Sequence, residues 1–182
     1  MTVLKINTET APEARSAMPE TPSASSRKLQ VRELTIDDLP TVFHIGEEVF
    51  SAESSPSLYR TWDEYEITTL FNTDTELCLV AERGDEIIGF ALGTTVDKQN
   101  TAWKYGHLVW LGVKKTTQKG GTGRALFREL KKRMQDQGVR MIIVDTAADN
   151  EPGISFFRKQ GFDRLEHHVY MSLNLSRKSR DQ

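Results

Sequence analysis

The 182-residue chain is predicted to fold as an α/β protein around one mixed sheet. Three features of the sequence carry that prediction. Short apolar or alternating runs, the period of strands, take turns with stretches whose apolar residues recur every three to four positions, the period of helices. The most continuous apolar strand, Tyr105–Val113, leads through a glycine-rich turn into a strongly amphipathic helix. The length suits a single domain of ~100–200 residues.

Taken in order, Leu29–Leu34 alternates apolar and polar residues as a half-buried strand does. Thr35 with Asp38 three residues on is an N-cap signal, opening a helix over about Asp37 to Phe50. Its residues Leu39, Val42, Phe43, Ile45 and Val49 share one face. Ser51–Arg60 is rich in Ser and Pro and is predicted as a loop, followed by a helix over Trp62 to Asn72. Leu77–Glu82 and Glu86–Val96 flank Gly84-Asp85 as a hairpin. Gly89 and Gly93 inside its second strand signal a bulge or the close approach of another backbone. After the polar connection Asp97–Thr101 comes the strand Tyr105–Val113. The helix over Gly123 to Gln137 buries Ala125, Leu126, Leu130 and Met134, with Gly138 at its C′ position. Arg140–Asp145 is a buried strand. Pro152 opens a helix to about Gln160, closed by Gly161. Phe162–Leu165 and His168–Leu175 are expected to form a final strand pair. The predicted order is β-α-α-β-β-β-α-β-α-β-β.

The ends differ from this middle. Residues 1–28 hold three of the six prolines and no aromatic residue, too little apolar surface to offset the entropy of ordering. They are expected to be a disordered tail, neither secretory signal nor transit peptide. Residues 29–175 form the expected domain, and 176–182 a short basic tail. The balance of 24 basic against 26 acidic residues gives a net charge of −2, which argues against nucleic-acid binding through bulk charge. No apolar run reaches the ~18 residues that span a bilayer. The single cysteine, Cys78, permits no intrachain disulfide and fits a cytoplasmic setting. Its apolar strand makes it a core residue.

The informative segment is Gln118-Lys119-Gly120-Gly121-Thr122-Gly123-Arg124, between a strand and a helix. A helix start presents backbone N–H groups without intrahelical partners and the positive end of the macrodipole. Glycines let an anion approach those donors, and Lys119 and Arg124 add positive charge. A diphosphate is the expected ligand. A P-loop is excluded, because no lysine and no Ser or Thr follows Gly123. A dinucleotide fingerprint is incomplete, because Leu126 stands where its third small residue belongs, although Asp145 lies near the position of a ribose-binding acid. A plain tight turn would need only one glycine.

In this setting the sequence resembles the GNAT superfamily of acetyl-CoA-dependent N-acetyltransferases. Gln118–Gly123 matches that family's Gln/Arg-x-x-Gly-x-Gly/Ala signature, Trp110–Val113 its fourth strand, and Asn150 with Ser155–Phe162 its C-terminal signature. The resemblance covers about residues 29–175. It implies a mixed, mostly antiparallel sheet flanked by about four helices, whose fourth and fifth strands splay apart. It implies that main-chain groups of Leu111, Gly112 and Val113 bind the acetyl and pantetheine portions of acetyl-CoA, so that the cosubstrate lies like an added strand. Gln118, Lys119, Gly120, Gly121, Thr122, Gly123 and Arg124 would hold the pyrophosphate. Asn150 would contact the pantetheine arm and Phe157 would flank the thioester sulfur. The acceptor would be an amine of unknown identity, and a homodimer through the C-terminal strands is a further expectation.

The transfer needs a neutral amine, whose free pKa is near ~10.4, so a base or water chain must take its proton. The resemblance offers His107, six residues before Val113, and Asp145, five residues before Asn150. The alternative for His107 is a partly buried histidine bonded to a backbone carbonyl, and for Asp145 a strand-end acid capping nearby N–H groups. The Val113 N–H is the expected oxyanion donor. Phe157 stands where the family usually carries a tyrosine acid, and phenylalanine donates no proton. Tyr105 and Tyr170 are candidate substitutes. The departure keeps a second reading open, a catalytically weak domain that binds acyl-CoA. Trp62, Tyr59 and Tyr65 lie near the acceptor side, with core packing the alternative. Glu47, Glu48 and Glu53 could attract a cationic amine or form a solvated face.

Overall fold

A computed structural model of the chain describes residues 28–51, 62–97, 103–118 and 120–167, with residues 169, 171, 173 and 175. The N-terminal tail, most of the Ser51–Arg60 and Asp97–Thr101 connections, Lys119, Tyr170 and the basic tail therefore lie outside the described residues.

Five strands form one sheet in the order β1 (Leu29–Glu33), β2 (Cys78–Arg83), β3 (Glu86–Asp97), β4 (Lys104–Val113) and β5 (Met141–Val144). All neighbours are antiparallel except β4 and β5, which are parallel. The helices are α1 (Leu39–Val49), α2 (Glu64–Thr73), α3 (Thr122–Asp136) and α4 (Glu151–Lys159). The mixed, mostly antiparallel sheet with four helices is the predicted architecture.

Each face of the sheet buries its own core. On one side Val42 and Ile45 of α1 and Ile67 and Leu70 of α2 meet Cys78, Val80, Phe90, Leu92 and Trp110. On the other, Leu126, Phe127, Leu130 and Met134 of α3 meet Leu79, Ala81, Ala91 and Leu108. The row of four on α3 has the 3.6-residue spacing of an amphipathic helix, so one stripe suffices to cover three strands.

The predicted N-cap at Thr35 is a full capping box, with the Thr35 N–H and hydroxyl both donating to Asp38 at 2.8 Å. Arg32 adds a two-pronged pair to the same carboxylate, at 2.6 and 3.1 Å, and holds Glu82 at 2.9 Å. The guanidinium lowers the Asp38 pKa to about 2, because it favours the charged form.

The bulges announced by the two glycines are present. Ile88 is the extra residue opposite Ala81 and Glu82, next to Gly89. Val109 is the extra residue opposite Leu92 and Gly93. The second bulge turns β4 over, since Leu108 faces α3 whereas both Val109 and Trp110 face α1 and α2.

The strand expected at Phe162–Leu165 does not form. Phe162 is drawn into the core against Phe127 and Phe157, with ring centroids 5.6 and 5.4 Å apart. That anchors the chain beneath α4, and the charged residues after it stay exposed, with Arg164 paired to Glu166 at 2.8 Å. Of His168–Leu175 only alternate residues are described, none of them in a strand. Among the described residues no helix is long and apolar enough to cross a membrane.

Candidate functional site

The site begins where two strands part. β4 pairs with β5 through Tyr105↔Met141, Gly106↔Ile142, His107↔Ile143 and Leu108↔Val144. β5 then ends, while β4 runs on for five residues, Val109–Val113, bonded to β3 alone. The backbone groups on that open side follow from strand alternation. The Lys114 N–H donates to Ile88 O on β3 at 2.9 Å. Gly112, two residues back, turns its backbone the same way, so Leu111 and Val113 present theirs to the gap. Of those, the Val113 carbonyl accepts from Gln118 Nε2 at 3.2 Å. The Leu111 N–H and C=O and the Val113 N–H face the open side.

Gly112 therefore does something other than line the gap. A Cβ there would sit 2.6 Å from Cε1 of the buried Phe90 ring. The glycine lets that ring close the α1/α2 core behind the fork.

The glycine corner follows β4 directly. Gly121 has φ +81° and serves as N-cap of α3, and nothing lies within 4 Å of where its Cβ would be. The corner is open, and a left-handed residue starts the helix without a side chain in the way. Ala125 N–H already reaches Gly121 O at 3.0 Å, and no side chain caps the helix. The N–H groups of Thr122, Gly123 and Arg124 are left pointing out of the first turn. Gly123 abuts Phe156 and Val113 at ordinary contact distance, 3.6 to 3.8 Å from its would-be Cβ, which brings the helix start against the end of β4. Arg124 is exposed and Thr122 buried. Gln118 is exposed, its amide tying the loop to Val113. It positions the corner rather than filling it.

His107 and Asp145, two separate sequence candidates, come together. Nε2 of His107 lies 3.2 Å from Oδ2 of Asp145. The register places them: His107 opposes Ile143, and Asp145 follows the last residue of β5. The imidazole side chain is 27% exposed and the carboxylate 78%, so the pair opens to solvent at the fork. A carboxylate on one ring nitrogen fixes the ring orientation and leaves the other nitrogen for exchange of a proton.

Asn150 and Phe157 both make local contacts at α4. The Asn150 carboxamide is used locally, accepting from Gly153 N–H at 3.1 Å and donating from Nδ2 to Thr146 Oγ1 at 2.8 Å. It caps α4 and ties it to the chain after β5, which makes it a positioning residue. Phe157 packs edge-on against Phe156 and Phe162. Phe156, not Phe157, is the ring that touches the start of α3.

Around this centre, Tyr105 stacks with Trp103 at 6.5 Å, and shares the His107 face of β4. Trp62 is buried in an aromatic cluster with Phe43, Phe50, Phe90 and Trp110, so core packing is its role, while Tyr65 is exposed. Tyr59 and Glu53 lie outside the described residues. Glu47 and Glu48 are exposed, Glu47 bonded to His44 at 3.2 Å. Burial pushes the Cys78 thiol up to about 12, so it stays protonated and is no nucleophile. Arg83, whose guanidinium end lies beside Gly120, had no sequence signal. No group of three potential metal ligands exists among the described residues.

Comparison with known proteins adds the following. A family model described as "Acetyltransferase (GNAT) family" matches residues 39–162. Over 91 residues, half of the chain, the sequence is 30% identical to a mycothiol acetyltransferase of Pseudarthrobacter chlorophenolicus, and the match spans 28% of that longer protein. The fold is similar to that of an aminoglycoside acetyltransferase from an uncultured soil metagenomic sample, with TM-score 0.63 and 19% identity over 81% of this chain and 96% of that one. It is also similar to a chain of the NatC complex bound to Gag peptide and CoA, with TM-score 0.64 and 19% identity over 76% and 87% of the two chains.

Proposed function

This chain belongs to the acetyltransferase (GNAT) family, and we propose that it moves an acetyl group from acetyl-CoA to a primary amine by direct attack within a ternary complex. The observation that carries the proposal is the fork. Unpaired backbone donors of β4 at Leu111 and Val113 run straight into an open, uncapped helix start at Gly121–Arg124. A ligand with a peptide-like arm and a diphosphate end matches that sequence of groups.

The residues suit the cosubstrate. The N–H groups of Thr122, Gly123 and Arg124 would take the diphosphate, and the free groups of Leu111 and Val113 would bond the amides of the arm. Bound acetyl-CoA supplies the activated acyl group; the remaining chemistry falls to the chain. A C–N bond forms as the C–S bond breaks, the amine gives up a proton, and the thiolate takes one. His107 would accept the amine proton through a water chain, with Asp145 orienting the ring. Along the strand His107 lies about 13 Å from Leu111 and about 20 Å from Val113. The Leu111 N–H is therefore the better oxyanion donor of the two. No hydroxyl at Phe157 meets the leaving sulfur, so protonation of the thiolate falls to water.

The missing hydroxyl also supports a second reading, an acyl-CoA-binding domain with weak turnover. Thiol release from acetyl-CoA, measured with N-terminal peptides, lysine peptides, aminoglycosides and polyamines, separates the two. Amine-dependent release with any of these supports transfer. Tight acetyl-CoA binding with no acceleration by any amine class overturns transfer in favour of binding.

A further inference from the structure

We propose that Arg83, on the β2–β3 hairpin and outside the glycine motif, is a phosphate ligand of the CoA site. The inference rests on the CoA reading of that site. In the α3-facing row of β2, Leu79 and Ala81 pack beneath the helix, and Arg83 comes next, at the end of the strand. The row carries it to the start of α3. Its Nη2 lies 3.6 Å from where a Cβ of Gly120 would be, which places the guanidinium against the glycine corner.

The Arg83 side chain makes no hydrogen bond or ion pair among the described residues, and its surroundings explain why. Glu82 is held by Arg32 at 2.9 Å. Glu86, its cross-strand partner, is held by Lys114 at 2.7 Å. Asp85 makes a contact of its own. The guanidinium of this half-buried residue is thus a fork of donors without an acceptor, beside N–H groups that also lack one. Arginine matches phosphate oxygens in pairs, with shorter and stronger bonds than neutral donors make. A phosphate seated on the first turn of α3 would complete both sets. The phosphate could be one of the diphosphate or the 3′-phosphate of the nucleotide end, which share this chemistry.

Calorimetric titration of the full chain and of Arg83→Gln tests the assignment, using CoA, dephospho-CoA and pantetheine as ligands. The expected result is about tenfold weaker CoA binding by Arg83→Gln, partial recovery in Arg83→Lys, and pantetheine binding unchanged. If dephospho-CoA is weakened equally, the ligand is the diphosphate; if only CoA is weakened, it is the 3′-phosphate. Unchanged CoA affinity in Arg83→Gln, or an equal loss for pantetheine, overturns the role of Arg83 while leaving the CoA site in place. Failure of the unaltered chain to bind CoA overturns both.

Discussion

The two halves of β4 do different work with the same backbone. From Tyr105 to Leu108 the strand is zipped to neighbours on both sides, its ladder groups are occupied, and only side chains are left to act; His107, held by Asp145, is the side chain proposed to do so. From Val109 to Val113 one neighbour is gone, and backbone groups of Leu111 and Val113 are left open for the proposed recognition of acetyl-CoA. The bulge at Val109 lies at the boundary and swaps which face each side chain takes. A strand fully paired along its length would offer an acyl thioester nothing to bond, and one wholly unpaired would hold no side chain firmly enough to act as a base.

The comparison breaks most visibly at His107. His107→Gln is expected to lower kcat by about 10²- to 10³-fold while CoA affinity, set by the open half, changes less than twofold. Steady-state kinetics beside calorimetry checks this; parallel losses in both would show that the two halves are not separate. In the open half, Gly112→Val should destabilise the fold by about 1–3 kcal/mol, because its side chain meets the Phe90 ring in a filled core. Thermal unfolding should show a drop of several degrees, and an unchanged midpoint would mean that β4 can move away from Phe90 at no cost.

The far edge of the sheet gives a reference for effects unrelated to the fork. Asp38 has its folded-state pKa lowered to about 2 by Arg32. A depressed carboxylate stabilises the fold above its unfolded pKa and loses that contribution as pH falls through its folded pKa. Stability on the order of 2 kcal/mol should be lost between about pH 5 and pH 2, and Asp38→Asn should flatten that part of the pH–stability curve. The smallest effect is expected at Phe157→Tyr. That ring packs against Phe156 and Phe162, so the new hydroxyl should leave kcat unchanged or raise it slightly. A large fall in kcat with CoA binding intact would show that an unsubstituted ring is needed there.

Periodicity together with cap and turn signals located five strands and four helices in order, because burying one face of a strand or one stripe of a helix imposes a spacing that apolar residues must obey, and the ends need local partners. The helix start at Gly121 was readable for a similar local reason: a left-handed residue and an open approach call for glycine wherever the chain ends up. Where long-range contacts decide, the sequence was silent. Nothing near His107 or Asp145 says that they meet, since their contact depends on the parallel register of β4 and β5 across a helix. That the Asn150 carboxamide caps its own helix at Gly153 and ties it to Thr146 depends on how the chain after β5 meets α4. Phe162 was expected in a strand, and the pull of a core formed by distant rings won over its local pattern. The open helix start at Gly121 was thus fixed by residues next to each other in the chain. That His107 meets Asp145 at the fork, which backbone groups stay free, and that Arg83 arrives at the corner were settled only when strands remote in sequence were laid side by side.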